Sequence, residues 1–349
     1  MNNSSASDRI FMTGASGFVG SHVLRAFLDA GYRVRALARG GELPSVINWL
    51  VKEDEPNLEL VDGDMRETGK LVRAIDGCRY VVHSAALYSF APRDRDQIHA
   101  VNVVGTEGLM TAAYVAGVER VVHTSSSATI GHERNGKPAD ESCYPDHLIT
   151  LKSLRGDYHN SKLEQERAAF AGRVPVVAVL PTAPVGPGDW KPTPTGKMVL
   201  DFMQGKITAR APGHGGLNLV AVEDVAKMHV AALQRGRSGE RYIIGGENLS
   251  MDEIWQELSE ITGKPMPSWR APYALALTAA YVDEVRCRVN PSATPLAPLE
   301  GVRMSRDRMY ADPSKAQHEL GHKPTSVHAA LEAAAAWYRD RRQDAPVAG

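Results

Sequence analysis

Short, continuously apolar runs alternate with longer amphipathic runs along the first half of the chain. The short runs are rich in Val, Ile or Leu and have strand length, at 10–13, 33–38, 58–61, 80–83, 120–124 and 176–180. The longer runs have helix length, at 18–30, 96–116 and 158–171. Strands that are apolar along their whole length are typical of a parallel sheet covered on both faces, and crossovers between parallel strands are right-handed. The pattern therefore predicts an α/β fold with a doubly wound parallel sheet, the Rossmann arrangement.

The alternation ends after Leu180. Residues 181–189 carry three prolines and two glycines, which is too many for a regular element. Strand-like runs follow at 217–222 and 241–244, and residues 250–341 are mostly helical in pattern. We expect three parts: a Rossmann domain made of 9–182 and 217–247, a smaller and mostly helical substrate domain made of 183–216 and 248–345, and a disordered tail at 1–8.

Charge and cysteine content exclude several classes of protein. Lys and Arg number 40 against 41 Asp and Glu, so a net charge of −1 gives no general attraction to nucleic acid or to an anionic membrane. No uncharged apolar run approaches the roughly 18 residues of a spanning helix. Cys78, Cys143 and Cys287 lie far apart, and no CxxC or HExxH motif occurs. The sequence therefore predicts a cytoplasmic protein with no structural metal and no disulfide framework.

A glycine-rich turn follows the first strand and begins the first helix. Residues 13–20 read Thr-Gly-Ala-Ser-Gly-Phe-Val-Gly. Gly14 permits a tight turn, Gly17 lets the backbone approach a pyrophosphate, and Gly20 lets helix and strand pack closely. The helix N-terminus then offers free N–H groups to the phosphates. This turn predicts a dinucleotide site.

The end of the second strand indicates which dinucleotide binds. An acidic residue about 20 residues beyond the glycine turn would bind the ribose hydroxyls of NAD, but no acidic residue occurs between Ala30 and Gly41. Arg39 stands there instead and can pair with a 2′-phosphate. The sequence therefore favours NADP(H), with NAD(H) as the alternative. Asp64, after the third strand, is placed to accept from the adenine amino group.

A tyrosine and a lysine share one helix face downstream. Tyr158 and Lys162 are four residues apart, so they are neighbours on a helix. A cation one turn away stabilises a phenolate and prepares the phenol for proton transfer near neutral pH. The serine cluster 125–127 follows the fifth strand at its carboxyl end, where ligands of open parallel sheets bind. A hydroxyl there can hold a substrate oxygen during the reaction.

Together these motifs resemble those of the extended short-chain dehydrogenase/reductases over nearly the whole chain. The resemblance also includes the His-Ser-Ala-Ala strand end at 83–86, the Asn-Val-Val-Gly-Thr helix at 102–106 and the Ala-Asp-Pro-Ser-Lys segment at 311–315. The chain is most similar in character to hopanoid-associated sugar epimerase-like proteins and to the dihydroflavonol reductase/3β-hydroxysteroid dehydrogenase branch.

The resemblance implies an NAD(P)-dependent enzyme and assigns its site. Counted back from Gly131, the catalytic serine falls on Ser126, with Ser127 as the alternative because the serine triplet leaves the register ambiguous by one. The implied catalytic triad is then Ser126, Tyr158 and Lys162. The expected cofactor contacts are Thr13, Gly14, Ser16, Gly17, Phe18, Val19, Gly20, Arg39, Asp64, Met65, Ser84, Ala85, Ala86, Tyr158, Lys162, Pro181, Ala183 and Val185.

The same triad serves a reductase or an epimerase, so the substrate half of the chain has to discriminate. Nucleotide-sugar members resemble one another in an arginine that holds the substrate diphosphate ahead of a V-x-D-V-A helix, whereas this chain has leucines at 217 and 219. The segments 271–282 and 295–299 are apolar. These features favour reduction of a ketone on a hydrophobic substrate: a 3-oxo lipid or sphingoid, a steroid or terpenoid, or a polyphenol.

Two other functions remain open from the residues. One is a sugar epimerase or dehydratase; the other is a non-catalytic dinucleotide sensor, which would need the glycine turn but not Tyr158 and Lys162. The expected partners are a small apolar substrate, a second copy of the chain in a homodimer, and a peripheral membrane contact through the apolar segments, with no nucleic acid. Three residues are predicted to touch substrate: Tyr88, Ser127 and Asn218.

Overall fold

The computed structural model describes residues 8–52, 54–88, 92–130, 137–143, 157–210, 215–290, 299, 302 and 307–344. For residues 92, 157, 158 and 342–344 it describes the backbone alone. Asp8, at the end of the predicted tail 1–8, pairs with Arg79, and Asp8 Oδ1 lies 2.7 Å from Arg79 Nη1. The rest of that tail lies outside the described residues.

A parallel sheet of seven strands forms the centre of the protein, in the order β3-β2-β1-β4-β5-β6-β9. The order runs outward from β1 in both directions, which is the doubly wound topology that the sequence predicted. The side chains of β6 are buried along the whole strand, as expected for a sheet covered on both faces. The strands are β1 Arg9–Thr13, β2 Arg33–Ala38, β3 Leu58–Asp62, β4 Tyr80–His83, β5 Arg120–Thr124, β6 Val176–Pro181 and β9 Arg241–Ile244.

Helices cover both faces of this sheet. The helices of the described residues, including those that pack against the second sheet, are α1 Phe18–Asp29, α2 Thr68–Ile75, α3 Arg95–His99, α4 Gly105–Val115, α5 Asp157–Ala171, α6 Pro194–Met203, α7 Val222–Arg235, α8 Met251–Thr262, α9 Tyr273–Val289, α10 Ser314–Leu320 and α11 Val327–Asp344. A π-helical turn, Ala100–Val104, joins α3 to α4. Helices α1 and α7 share one hydrophobic core with the sheet, whereas α2, α4 and α5 share another.

A second, smaller sheet supports the C-terminal part of the chain. Its strands are β7 Ala183–Val185, β8 Gly216–Ala221, β10 Glu247–Ser250 and β11 Arg308–Met309. Strand β8 pairs with each of the other three. Helices α6, α8 and α11 pack against this sheet around a third core that includes Phe202, Trp255 and Leu331.

Strand β7 corrects one sequence expectation. Residues 181–189 were expected to hold no regular element, yet Ala183–Val185 forms a strand parallel to β8. Proline is tolerated in a short strand, and Pro184 is the middle residue of β7, opposite Val220. Local composition predicts a loop here because of the three prolines and two glycines. The strand was missed because its pairing partner is distant in the sequence.

The two sheets do not divide the chain at the boundaries of the two predicted domains. Of the residues 217–247 expected in the Rossmann domain, α7 and β9 belong to the seven-stranded sheet and its helix layer. Strand β8 lies in the second sheet instead. The domain boundaries themselves stay a prediction.

Candidate active site

The glycine turn between β1 and α1 leaves room for a ligand next to the backbone. Gly14 has a φ of +80°, and a Cβ there would lie 2.5 Å from the backbone nitrogen of Ala85. A Cβ at Gly20 would overlap the carbonyl oxygen of Gly14. The backbone nitrogen of Gly17 donates to the Gly14 oxygen at 3.0 Å, which closes the turn. Only glycine suits positions 14 and 20, whereas a Cβ at Gly17 would lie 3.4 Å from the Gly14 oxygen, an ordinary contact. The turn and the helix N-terminus that follows it fit a dinucleotide pyrophosphate.

The remaining expected contacts of the turn differ in exposure. Ser16 is exposed, Val19 is half-buried, and Phe18 is buried. Thr13 connects β1 to the end of β4, because its hydroxyl accepts from the backbone nitrogen of Ala85 at 3.3 Å. The structure thus brings the predicted residues at 84–86, which include Ser84 and Ala86, next to Gly14.

Asp64 is engaged by a residue that the sequence did not single out. The Arg66 guanidinium donates to both carboxylate oxygens of Asp64, each at 2.8 Å. These hydrogen bonds from Arg66 lower the pKa of Asp64 to about 2, and the charge of Arg39 acts in the same direction. Met65, between the two partners, is buried. The structure therefore gathers Arg39, Asp64 and Arg66 at the carboxyl ends of β2 and β3, with the Asp64 carboxylate already bonded within the protein.

Lys162 is a buried cation held by neutral groups. It is 3% exposed, and its Nζ donates to the carbonyl oxygen of Thr124 at 3.0 Å and to Gln165 Oε1 at 2.6 Å. Burial lowers the pKa of Lys162 from 10.5 to about 8, against the opposing influence of the Glu166 charge. The side chain of Tyr158 lies outside the described part of the chain, although its backbone belongs to the same helix, α5.

The serine loop leaves β5 directly beside Lys162. Ser126 is half-buried, and its hydroxyl accepts from the backbone nitrogen of Ala128 at 3.1 Å, so its own proton is left for another acceptor. Ser127 is also half-buried. Ser125, by contrast, is buried and its hydroxyl donates to the Glu166 carboxylate. Ser126 and Ser127 both remain candidates for the substrate-binding hydroxyl.

Gln165 links Lys162 to Ala85, which follows β4 and lies next to Gly14 of the glycine turn. Its Nε2 donates to the carbonyl oxygen of Ala85 at 3.1 Å, while its Oε1 accepts from Lys162. His83 lies between the Thr13 hydroxyl, at 2.9 Å, and the Thr106 hydroxyl, at 2.8 Å. Burial lowers the pKa of His83 to about 3, so the imidazole is neutral. Sequence reasoning assigned no role to Gln165, although its position three residues after Lys162 puts both on one helix face.

Three of the expected cofactor contacts, Pro181, Ala183 and Val185, lie at or just after the end of β6. Pro181 ends this buried strand, opposite Ile244 of β9. Ala183 and Val185 lie in β7. The structure therefore places these three predicted contacts at the junction between the two sheets.

The predicted substrate residues do not come together in the same way. Tyr88 is 41% exposed, after β4. Asn218 is buried in β8, where its amide oxygen accepts from Thr182 Oγ1 and from the backbone nitrogen of Gly246, both at 2.9 Å. Its amide nitrogen donates to Asn248 Oδ1 at 2.7 Å. Asn218 thus uses both ends of its amide to join strands, and its expected role as a substrate contact stays a prediction.

Comparison with known proteins gives a family and two full-length relatives. The model of the "NAD dependent epimerase/dehydratase family" matches residues 10–245. A relative from Synechocystis sp., provisionally named dihydroflavonol 4-reductase, is 39% identical over 340 residues, covering 95% of each chain. The "Sterol demethylase protein B" of Methylococcus capsulatus is 34% identical over 335 residues, covering 95% of this chain and 98% of the relative.

A solved structure agrees with the fold. The crystal structure of gox2253 superposes with a TM-score of 0.80 at 36% identity, covering 96% of this chain and 98% of the other. None of the helices in the described ranges combines the length and the apolar character that a bilayer crossing requires. The cytoplasmic location that the sequence suggested stays a prediction.

Proposed function

Because the chain belongs to the NAD dependent epimerase/dehydratase family, it is an NAD(P)-dependent enzyme, and we propose that it reduces a ketone to a secondary alcohol. The observation that carries the proposal is the hydrogen bond from Lys162 Nζ to the carbonyl oxygen of Thr124. This bond holds the helix of Tyr158 and Lys162 against the strand end from which the serine loop leaves. The residue types of a proton donor, its activating cation and an oxygen-binding hydroxyl are thereby carried by two adjoining elements, α5 and the loop after β5.

Each residue of the triad has one task in this reaction. When bound, the reduced nicotinamide supplies the hydride that the carbonyl carbon takes up. Tyr158 donates its phenolic proton to the carbonyl oxygen, so the product is a neutral alcohol. Ser126, or Ser127 in the alternative register, donates a hydrogen bond to that oxygen as its charge develops. Lys162 stabilises the phenolate that Tyr158 becomes, until the phenol regains a proton from solvent.

The residues at the ends of β2 and β3 support NADP(H) as the cofactor. Arg39 and Arg66 both act on the Asp64 carboxylate, so two cations stand where the adenosine ribose of a dinucleotide is expected. A charge-assisted hydrogen bond contributes about 1.5–3 kcal/mol. Arg39→Ala should therefore weaken NADPH binding about tenfold to hundredfold and leave NADH binding nearly unchanged, as measured by fluorescence titration. Equal losses for both cofactors would exclude a 2′-phosphate contact at Arg39.

The apolar character of β8 supports a hydrophobic substrate. Leu219 is buried in the third core and Leu217 packs against it, at the positions where nucleotide-sugar members resemble one another in an arginine. A substrate diphosphate would find no cation from these two positions and would lose charge-assisted hydrogen bonds. A 3-oxo lipid or sphingoid, a steroid or terpenoid, or a polyphenol needs no such clamp.

Turnover assays decide between reductase and epimerase. Purified enzyme should consume NADPH in proportion to the alcohol formed from one of these ketone classes, and should leave nucleotide sugars unchanged. Tyr158→Phe, which removes only the hydroxyl, should lower turnover by about a hundredfold or more while NADPH affinity stays the same. Interconversion of nucleotide-sugar epimers without net NADPH oxidation would refute the reductase and favour the epimerase. Unchanged turnover in Tyr158→Phe would refute the assigned proton donor.

Two exposed apolar surfaces support the expected partners. Helix α4 exposes Tyr114 and Val115, which fit a second copy of the chain in a homodimer. The segment around α9 exposes Trp269, Val282 and Val289. An aromatic and aliphatic surface of this kind fits a peripheral contact with the membrane in which an apolar substrate dissolves.

A further inference from the structure

A fully buried carboxylate lies one helical turn beyond Lys162. Glu166 is 0% exposed on α5, four residues after the lysine and therefore on the same helix face. A buried charge is tolerated only when it is paired and hydrogen-bonded. The partners of Glu166 therefore indicate what this charge is retained for.

The cationic partner comes from β9, the edge strand of the seven-stranded sheet. Arg241 Nε, at the start of β9, lies 3.1 Å from Glu166 Oε1. The same guanidinium donates through Nη2 to the carbonyl oxygen of Thr129 at 3.0 Å and to its hydroxyl at 2.9 Å. Both members of the ion pair thus converge on Thr129, and the pair has hydrogen-bond partners in addition to its Coulomb attraction.

The other partners of Glu166 are hydroxyl groups on either side of the candidate catalytic serines. Ser125 donates to Glu166 Oε2, and the Thr129 hydroxyl lies 2.9 Å from the same oxygen. The loop between them contains Ser126 and Ser127. Lys162 adds a third attachment through the carbonyl oxygen of Thr124. One face of α5 therefore holds the serine loop at both of its ends.

We propose that Glu166, held by Arg241, is a positioning residue that orients the loop from Ser125 to Thr129, so that its serine meets the substrate oxygen. The inference rests on the proposed reductase function, for which the serine is a catalytic residue. Glu166 itself touches neither substrate nor cofactor in this assignment. Its effect reaches the reaction through the two hydroxyl groups that it holds.

The loop side of the clamp can be removed while both charges of the ion pair are kept, although Thr129→Val also removes one acceptor of Arg241. Ser125→Ala and Thr129→Val each delete one hydroxyl and leave Glu166 and Arg241 in place. A displacement of about 1 Å at a catalytic group can cost about a hundredfold in rate. We expect kcat to fall about tenfold to hundredfold in each variant, while the Kd for NADPH stays within about twofold. Thr262→Val is the matched control, because the Thr262 hydroxyl bonds only to positions on and just after α8.

A double-mutant cycle separates positioning from general destabilisation. The background is Ser126→Ala, or Ser127→Ala if that substitution is the one that lowers kcat more. If the clamp acts through the serine, adding Thr129→Val to this background should lower kcat by less than about twofold. Two losses that multiply in full would show that the clamp affects the reaction by another route and would overturn the proposal.

Hydrogen exchange tests the clamp independently of any substrate. Glu166→Gln should speed amide exchange in peptides covering 125–130, whereas peptides of α1 should be unchanged. If Glu166→Gln folds poorly because Arg241 loses its carboxylate, Glu166→Gln/Arg241→Gln removes both charges and allows the same measurement. Unaltered exchange in the loop would overturn the positioning role, even if the wild-type enzyme reduced no ketone. Ketone reduction with unaltered exchange would overturn only the role of Glu166.

Discussion

Lys162 is expected to make the folded protein less stable at neutral pH than it is at alkaline pH. Its ammonium is 3% exposed, and its hydrogen-bond acceptors are the Thr124 carbonyl and the Gln165 amide oxygen, neither of which carries a charge. Burial therefore lowers its pKa to about 8 in the folded protein, from 10.5 when exposed. Lys162→Met removes the charge and keeps an unbranched side chain of similar length.

The sign and the size of the effect follow from proton linkage. Between pH 8 and 10.5 the unfolded chain holds a proton on Lys162 that the folded chain has released, so the free energy of unfolding rises with pH in this window. A gap of about 2.5 pH units at about 1.4 kcal/mol per unit gives about 3 kcal/mol. Below pH 8 the lysine is charged in both states, and the folded state bears the full cost of burying it. The wild-type protein should therefore gain about 3 kcal/mol relative to Lys162→Met between neutral pH and pH 10.5.

Urea unfolding of both proteins at several pH values from 7 to 10 measures this difference. Comparison with the variant cancels most of the titration of other groups, because these are shared. Lys206→Met is the control, because it removes the same side chain from an exposed position. A difference between wild type and Lys162→Met that changes by less than about 0.5 kcal/mol from pH 7 to 10 would refute the reasoning.

Three further predictions concern activity and surfaces. The alkaline limb of kcat/KM should lie near pH 8, because the uncharged lysine above that pH no longer stabilises the phenolate; a profile flat up to pH 10 would contradict a role for the Lys162 charge. Gly20→Ala should lower the thermal midpoint and weaken NADPH binding, since the added methyl would overlap the Gly14 carbonyl oxygen. Tyr114→Asp should convert a dimer to a monomer in analytical ultracentrifugation. Val282→Asp should leave the sedimentation coefficient unchanged. The same Val282→Asp variant should no longer co-sediment with phosphatidylglycerol-containing vesicles.

Most of the sheet could be predicted because its central strands are buried on both faces. The run 120–124, for example, became β5 with the same bounds, since a short run centred on two valines between helix-length runs has few alternatives in a doubly wound fold. Strand β7 was missed because Ala183–Val185 gains its hydrogen bonds from β8, a partner that no local pattern reveals. Strand β8 was recognised as a strand but assigned to the larger sheet, since its apolar sequence suits either sheet.

In the site too, local motifs could be predicted, whereas contacts between side chains could not. The glycine turn and the pair Tyr158 and Lys162 are local motifs, in which the spacing alone carries the chemistry. Arg241 acts across distant elements and Arg66 acts on Asp64, two residues away, but a solvated surface charge is the usual interpretation of either arginine in a sequence. Asn218 was expected at the substrate, and the structure shows its amide satisfying backbone and side-chain groups of neighbouring strands.

Helix α5 could have revealed more, because its buried face is polar. Ser161, Lys162, Gln165 and Glu166 are each 4% exposed or less, whereas a core-facing helix ordinarily buries an apolar stripe. Amphipathic reasoning would turn these four residues towards solvent. They are buried because each polar group meets a partner, and those partners lie on β5, its serine loop, the segment after β4, the π-helical turn and β9. An apolar face on α5 would pack at lower cost, so the retained polar face is where this fold gives up stability in exchange for a fixed arrangement of reacting groups.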